Sequence, residues 1–418
     1  MKYIIAGIIT FVVLFPVIVP IFPLGLNRIF ELMGLVALYA SSRKKWISPS
    51  LRIILRYFGV LYFIIFITSC INFNFDLDFF FFMLTPLSHF GVGFLIYRIL
   101  GRKFNLASMC DIIILVQTLQ AIISFIMFFN PSIAYMIESY IAFAAEGKVE
   151  EALEYRLVGI GNAFFGAAAT YGVSLLLLCL VPFLKDSMVY RYKVVYWIIV
   201  TMMIAAGILS ARTFMFVFLF IPLFFVMVKG NPIMLLIKNW KLIVVIPLLY
   251  FLSVSALSRF TDVDKYERMG KWAFEAFTSL EDSGEVNTSS TNRMKEMYAT
   301  LPNDIISWTI GDAKFSEDDG SYYKHTDIGY NRHLFYWGIL GLLCYLVILM
   351  IIYRITAKNF QSPIISNFLL CLFLFELFLN FKGIIVLSYY WSAIFVCSVV
   401  EKQRRELFIK NDSSTILK

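Results

Sequence analysis

The sequence predicts an all-α, polytopic integral membrane protein with about 12 transmembrane helices and one large outer (periplasmic) loop that contains short helices. Three observations predict it. The chain is 60% hydrophobic with a mean hydropathy of +0.79, beyond what a soluble core can absorb. Apolar runs of about 20 residues, the length that crosses a hydrocarbon layer, recur along nearly all of it. One long polar stretch, residues 258–332, interrupts them.

Taken in order, the apolar runs place helices at 3–22, 24–40, 51–71, 79–97, 108–129, 157–181, 194–210, 213–228, 242–257, 333–352, 364–380 and 384–400. The first follows Met1-Lys2 and reaches Phe22 without a small-residue cleavage site, so it reads as a retained helix. The organisation is therefore residues 1–257 as helices one to nine, 258–332 as the loop, 333–400 as helices ten to twelve, and 401–418 as a tail. The 43 Phe and 23 Tyr suit lipid-facing and interfacial positions.

Orientation follows from Lys and Arg. Clusters such as Arg98, Arg102 and Lys103, or Lys402, Arg404 and Arg405, fall on one side, which holds 22 of the 36 basic residues. Short turns on the other side are acidic, as in Asp76 and Asp78. Both termini are expected in the cytoplasm. The long loop carries nine basic and fourteen acidic residues, a net charge of about −5. Helical spacing over 255–280 and again over 292–301 predicts a small folded cap.

Several chemistries are excluded. There is no GxxxxGK[ST] and no HExxH. Basic residues are scattered among loops, which leaves no groove for nucleic acid. The six cysteines lie in or beside apolar spans without a CxxC, so they read as packing residues and not as a zinc site. Gly159-Ile-Gly161-Asn-Ala-Phe-Phe-Gly166 lies within an apolar span with no strand before it, so it reads as small-residue helix packing. No cofactor and no metal are expected. Asp76-Leu-Asp78 and Asp262-Val-Asp264 match the metal-holding pairs of many glycosyltransferases but read here as solvated charge.

Two features carry chemistry. Arg156, Arg212 and Arg332 sit at helix starts on the outer side, where a guanidinium can grip phosphate oxygens with two bonds. Charge is costly so near hydrocarbon, and Ser210-Ala-Arg212-Thr213 leaves Arg212 almost no loop into which to escape. The second feature is His325-Thr-Asp327-Ile-Gly329-Tyr-Asn-Arg332-His333, a titratable group with a carboxylate two residues on. A His that takes a proton from a sugar hydroxyl needs such a group to set its tautomer. His333 reads as a cap or anchor and His89 as packing or a hydrogen bond. Glu376, in span eleven, is either a proton-pathway residue or a partner for Lys382.

Three local patterns carry a resemblance. They are Arg156-Leu-Val-Gly159 with Gly172 in an Arg-x15-Gly spacing, the Ser210-Ala-Arg212-Thr213 turn, and Arg293–Pro302 with Gly311, His325-Thr-Asp327-x-Gly329 and Gly338-Ile-Leu-Gly341. Together with the late outer loop they resemble Wzy-type O-antigen and capsular polysaccharide polymerases and the related ligases. The Arg-x15-Gly spacing does not recur at Arg293, where Gly311 falls two positions too far. The resemblance implies polymerisation of glycan repeats carried on undecaprenyl pyrophosphate by metal-independent, inverting glycosyl transfer. It implies Arg156, Arg212, Arg293 and Arg332 on the pyrophosphate, and His325 as base, oriented by Asp327. The implied partners are the lipid-linked donor and acceptor, membrane lipid and a chain-length regulator protein. Alternatives are an O-antigen ligase, a glycosyltransferase acting on lipid-linked sugars, and a flippase or transporter. A flippase would carry polar residues through its mid-membrane helices.

Overall fold

The computed structural model describes residues 1–17, 25–42, 48–140, 156–161, 164–229 and 289–416. Among these every named element is helical, and extended backbone pairs in an isolated bridge between Ser316 and Tyr322. Six stretches are long and apolar enough to cross a membrane: Pro49–Ile71, Leu77–Lys103, Leu106–Phe129, Phe164–Phe183, Lys193–Ser210 and Gly329–Phe360. The chain therefore reads as membrane-embedded, with six such helices described where twelve were expected. Part of the shortfall is length. Lys2–Leu14 and Pro363–Leu379 are apolar but shorter, and a 17-residue helix rises only about 25 Å. The expected span at 242–257, the end of the first span, the loop helix at 255–280 and Asp262-Val-Asp264 lie outside the described residues.

The chain forms two compact units, each built from two separate stretches, which cut across the linear division read from hydropathy. The first comprises Met1–Phe30 and Ala107–Ser289. It holds α1 (Lys2–Leu14), the start of α2 (Leu26–Ser42), nearly all of α5 (Leu106–Phe129), then α6 (Pro131–Tyr140), α7 (Phe164–Leu180), α8 (Met188–Arg191), α9 (Lys193–Ser210) and α10 (Val217–Lys229). α7 is buried along nearly its whole length from Ala167, as a helix apolar on every face must be, and it packs on α9 and α10. Asp111 on α5 caps α8 from a distance, accepting from the Ser187 hydroxyl at 2.6 Å and the Met188 N–H at 2.7 Å.

The expected helix over 157–181 is shorter than its apolar run. The helix begins at Phe164, and 156–161 is non-helical backbone ending in a turn at Gly161. An apolar run does not distinguish a helix from a buried extended segment. Non-helical backbone among membrane helices needs partners, and α5 and α9 supply them. The Gln120 amide donates to the Ile160 carbonyl at 2.9 Å, and Leu157 N–H donates to the Leu209 carbonyl at 3.0 Å. Gly159 permits the approach, because a Cβ there would meet Gln120 Nε2 at 2.2 Å.

The second unit comprises Glu31–Leu106 and Ser290–Lys418. It holds the rest of α2, then α3 (Ser48–Ile71), α4 (Leu77–Leu100), α11 (Ser289–Ala299), α12 (Ile305–Thr309), α13 (Gly329–Phe360), α14 (Pro363–Leu379) and α15 (Ser388–Ile416). α13 packs on α3, α12, α14 and α15, and α4 packs on α15. α13 is broken at Gly338, whose backbone is not helical (φ 65°, ψ −168°). The part beyond the break, Ile339–Phe360, rises about 33 Å, close to the thickness of a hydrocarbon core. Gly329–Trp337 is thus a separate short helix at its mouth.

Candidate functional site

In the first unit, the Leu157–Leu209 backbone bond sets Arg156 beside the end of α9, and Arg212 follows two residues after that end. Arg212 opens a short 3-10 helix, Arg212–Phe216, as the tight turn predicted. Both side chains are half-buried, and the Arg156 guanidinium lies 5.3 Å from the Phe164 ring. Two cations far apart in sequence thus share one end of a bundle of apolar helices.

Below that end, α5 and α7 meet through buried polar side chains. Gln117 donates to Thr170 Oγ1 at 3.3 Å, and Ser124 Oγ lies 3.5 Å from the Tyr171 hydroxyl. The side-chain oxygens of Gln117 and Gln120 are buried with no hydrogen-bond donor. The sequence reading placed polarity in the outer loop and missed this seam. Gln117, Gln120 and Ser124, at a spacing of three and four, were its signal.

In the second unit, the break at Gly338 frees the carbonyls of Phe335 and Tyr336, and the segment after α12 takes them. Asp312 N–H donates to the Phe335 carbonyl at 2.6 Å, and Ala313 N–H to that of Tyr336 at 2.9 Å. Only glycine suits Gly338, since a Cβ would meet the Thr309 carbonyl group at 2.3 Å on top of the unusual dihedrals. The α3–α4 connection grips the other edge of this segment. Asn72 donates to the Gly311 carbonyl at 2.9 Å and Asn74 to that of Ala313 at 3.0 Å. Asp76 Oδ2 accepts from Phe315 N–H at 2.7 Å, while its Oδ1 caps α4 by accepting from Asp78 and Phe79 N–H. Both oxygens of Asp76 are therefore taken by backbone donors, and this carboxylate is a clamp, not the solvated charge expected. Asp78 is exposed.

Phe315, held in this way, forms one side of a sandwich around Arg332. The guanidinium lies 3.8 Å from the Phe315 ring and 3.9 Å from the Tyr322 ring. Arg332 is only 5% exposed, so the outward-facing arginine expected here is covered. Its Nε is buried without a hydrogen-bond partner, and so is Oδ1 of the neighbouring charge, Asp327. His333, next along, is fully buried between the rings of Trp337 (5.4 Å) and Tyr345 (5.0 Å), and neither ring nitrogen has a partner. His333 is thus an interior residue and not a cap.

His325 is exposed on a short turn in left-handed backbone, with Nδ1 3.5 Å from Ser321 Oγ. The expected contact with Asp327 is not made, because the turn sends the imidazole toward Ser321 while Asp327 faces the Arg332 charge. Arg293 is exposed on α11. The turn is held by Lys314, which bonds to Glu317 at 3.0 Å. That bond raises the Lys314 ammonium above its usual value and lowers the Glu317 carboxyl, which also accepts from Lys324 N–H. Burial pushes the Tyr323 hydroxyl, bonded to Asp312, up to about 12.

Glu376 is held by three donors rather than by Lys382. Its Oε1 accepts from the Tyr345 hydroxyl at 2.9 Å and from Leu387 N–H at 3.2 Å, and its Oε2 from Trp391 Nε1 at 2.5 Å, so it ties α14 to α13 and α15. His89 bonds to Ser388 Oγ at 2.7 Å, as expected of a packed histidine. Among the described residues no group of three or more His, Cys, Asp or Glu is placed to hold a metal.

Compared with known proteins, the chain matches no family model, no curated protein and no solved structure.

Proposed function

We propose that this protein joins oligosaccharide repeat units carried on undecaprenyl pyrophosphate into O-antigen or capsular polysaccharide at the outer face of the bacterial inner membrane. The observation that carries the reading is the placement of Arg156 and Arg212 near the same end of α9 in the first unit. Fixed cations at a membrane surface suit a pyrophosphate that gains charge as it leaves. In this reaction the acceptor hydroxyl attacks the anomeric carbon of the donor. A new C–O bond forms as the bond to pyrophosphate breaks, the configuration inverts, and the hydroxyl proton passes to a base, for which the resemblance implies His325 of the second unit. That residue is exposed and free to reach a sugar. Ser321, in place of Asp327, is the neighbour that orients its ring. Arg332 is covered by Phe315 and Tyr322 within the second unit. A chain-length regulator is a proposed partner.

A second reading, a flippase or transporter of lipid-linked glycan, is favoured by the buried polar seam of Gln117, Gln120, Thr170 and Tyr171. One experiment separates them. The gene is deleted, the surface glycan is run on a gel, and wild type, Arg156→Ala, Arg212→Ala and His325→Ala are returned. Loss of the ladder to single repeats, unrestored by the variants, is the expected result. A deletion that leaves single repeats on the inner leaflet supports the flippase, and an unchanged ladder refutes both.

A further inference from the structure

Residues 72–77 read Asn-Phe-Asn-Phe-Asp-Leu, and the structure sorts them by alternation. Asn72, Asn74 and Asp76 turn inward and bind the backbone of Gly311, Ala313 and Phe315. Phe73, Phe75 and Leu77 turn outward and are 93%, 61% and 62% exposed. The polarity is therefore inverted for an aqueous surface, with amides and carboxylate inside and aromatic rings outside.

Phe73 sharpens the point. The end of α3 closes in a Schellman motif, with Phe73 N–H on the Cys70 carbonyl at 3.3 Å and Asn74 N–H on the Ser69 carbonyl at 3.1 Å. The motif requires left-handed backbone at the residue where glycine is usual. Here that residue is Phe73, with φ 49°. A bulky side chain in that conformation is strained, and the ring is almost wholly exposed, so contacts within the protein do not offset the strain.

The exposed row continues onto the two helices it joins. Phe66, Ile67 and Ile71 of α3 and Phe80 and Phe81 of α4 are exposed apolar residues on helices that match a membrane span. An outward face continuous with a lipid-facing surface has lipid as its natural occupant.

We propose that Phe73, Phe75 and Leu77 insert into the bilayer at the boundary of headgroups and acyl chains, and that the α3–α4 connection is a membrane anchor. It holds the 311–316 segment, and through Phe315 the cover of Arg332, at a set depth against the lipid. The occupant is phospholipid, not a second copy of the chain. The inference rests on α3 and α4 spanning the membrane and is independent of the glycan reading.

The test is a photo-crosslinking amino acid, p-benzoylphenylalanine, placed at Phe73 and separately at Phe75 in the full-length protein. Each is reconstituted in vesicles of phosphatidylethanolamine and phosphatidylglycerol and irradiated. Two positions guard against a variant that fails to fold. Asp319, exposed on the 316–325 turn, is the comparison position. Phospholipid adducts by mass at 73 and 75, several-fold above those at 319, are the expected result. A crosslinked dimer would assign the face to a second copy and overturn the proposal. Absence of lipid adducts, or equal labelling at 319, would overturn it as well.

Discussion

Asp76 offers the clearest contest between a structural and a metal-binding carboxylate. Its Oδ1 caps α4, and replacing an N-cap Asp by Ala costs about 0.5–2 kcal/mol. Its Oδ2 accepts from Phe315 N–H at 2.7 Å, and a hydrogen bond to a charged acceptor contributes about 1.5–3 kcal/mol. The Ser316 N–H, at 3.4 Å, adds little. Asp76→Ala should therefore destabilise the protein by roughly 2–5 kcal/mol. Asp76→Asn keeps the cap but turns an NH2 toward Phe315 N–H, which should cost about 1–3 kcal/mol. Asp78→Ala should cost almost nothing, because that side chain is exposed. Thermal unfolding of the purified protein gives the order, and hydrogen exchange of the 311–316 amides locates the loss. If Asp76→Ala unfolds like wild type, or if both aspartates matter equally and only through added divalent metal, the clamp is wrong and the Asp-x-Asp reading returns.

Glu376→Gln should be milder than Glu376→Ala. The Gln oxygen still serves Tyr345 and Leu387 and abandons only Trp391, about 1–3 kcal/mol, whereas Ala strands all three donors; denaturant titration in micelles checks the order. Gly338→Ala should prevent the break in α13 and cost at least about 1–3 kcal/mol, seen as loss of amide protection at Asp312 and Ala313. The 314–325 turn should be pH-sensitive at both ends. The lowered Glu317 carboxyl contributes above its unfolded value and is lost as pH falls through the depressed folded value. The raised Lys314 contributes below its unfolded value and is lost as pH rises through the elevated folded one. Hydrogen exchange, corrected for intrinsic rate, should show the turn tightest between the two, and Lys314→Gln should abolish the alkaline loss and weaken the acid one, since the Lys324 N–H still donates to Glu317.

Much of the helical framework was legible because it depends on local chemistry. Spans expected at 51–71, 108–129 and 194–210 fall on Pro49–Ile71, Leu106–Phe129 and Lys193–Ser210, since an apolar run of that length can satisfy its backbone in lipid only as a helix. The Arg212 turn was legible for the same reason, as two residues between two apolar runs allow nothing longer. The 156–161 stretch was not, because its backbone is satisfied by Gln120 and Leu209, remote in sequence.

Composition and local spacing thus determined that this is a helical chain for a lipid solvent, with arginines at helix ends and histidines near the late polar loop. Tertiary structure decided what each polar group does. Asp76 became a clamp because its partner lies 239 residues away. His333 became an interior ring and His325 the exposed one, although both stand in the same short motif. Periodicity constrains a residue's neighbours within about one helical turn. Which distant donor meets which buried acceptor is settled only when the elements pack.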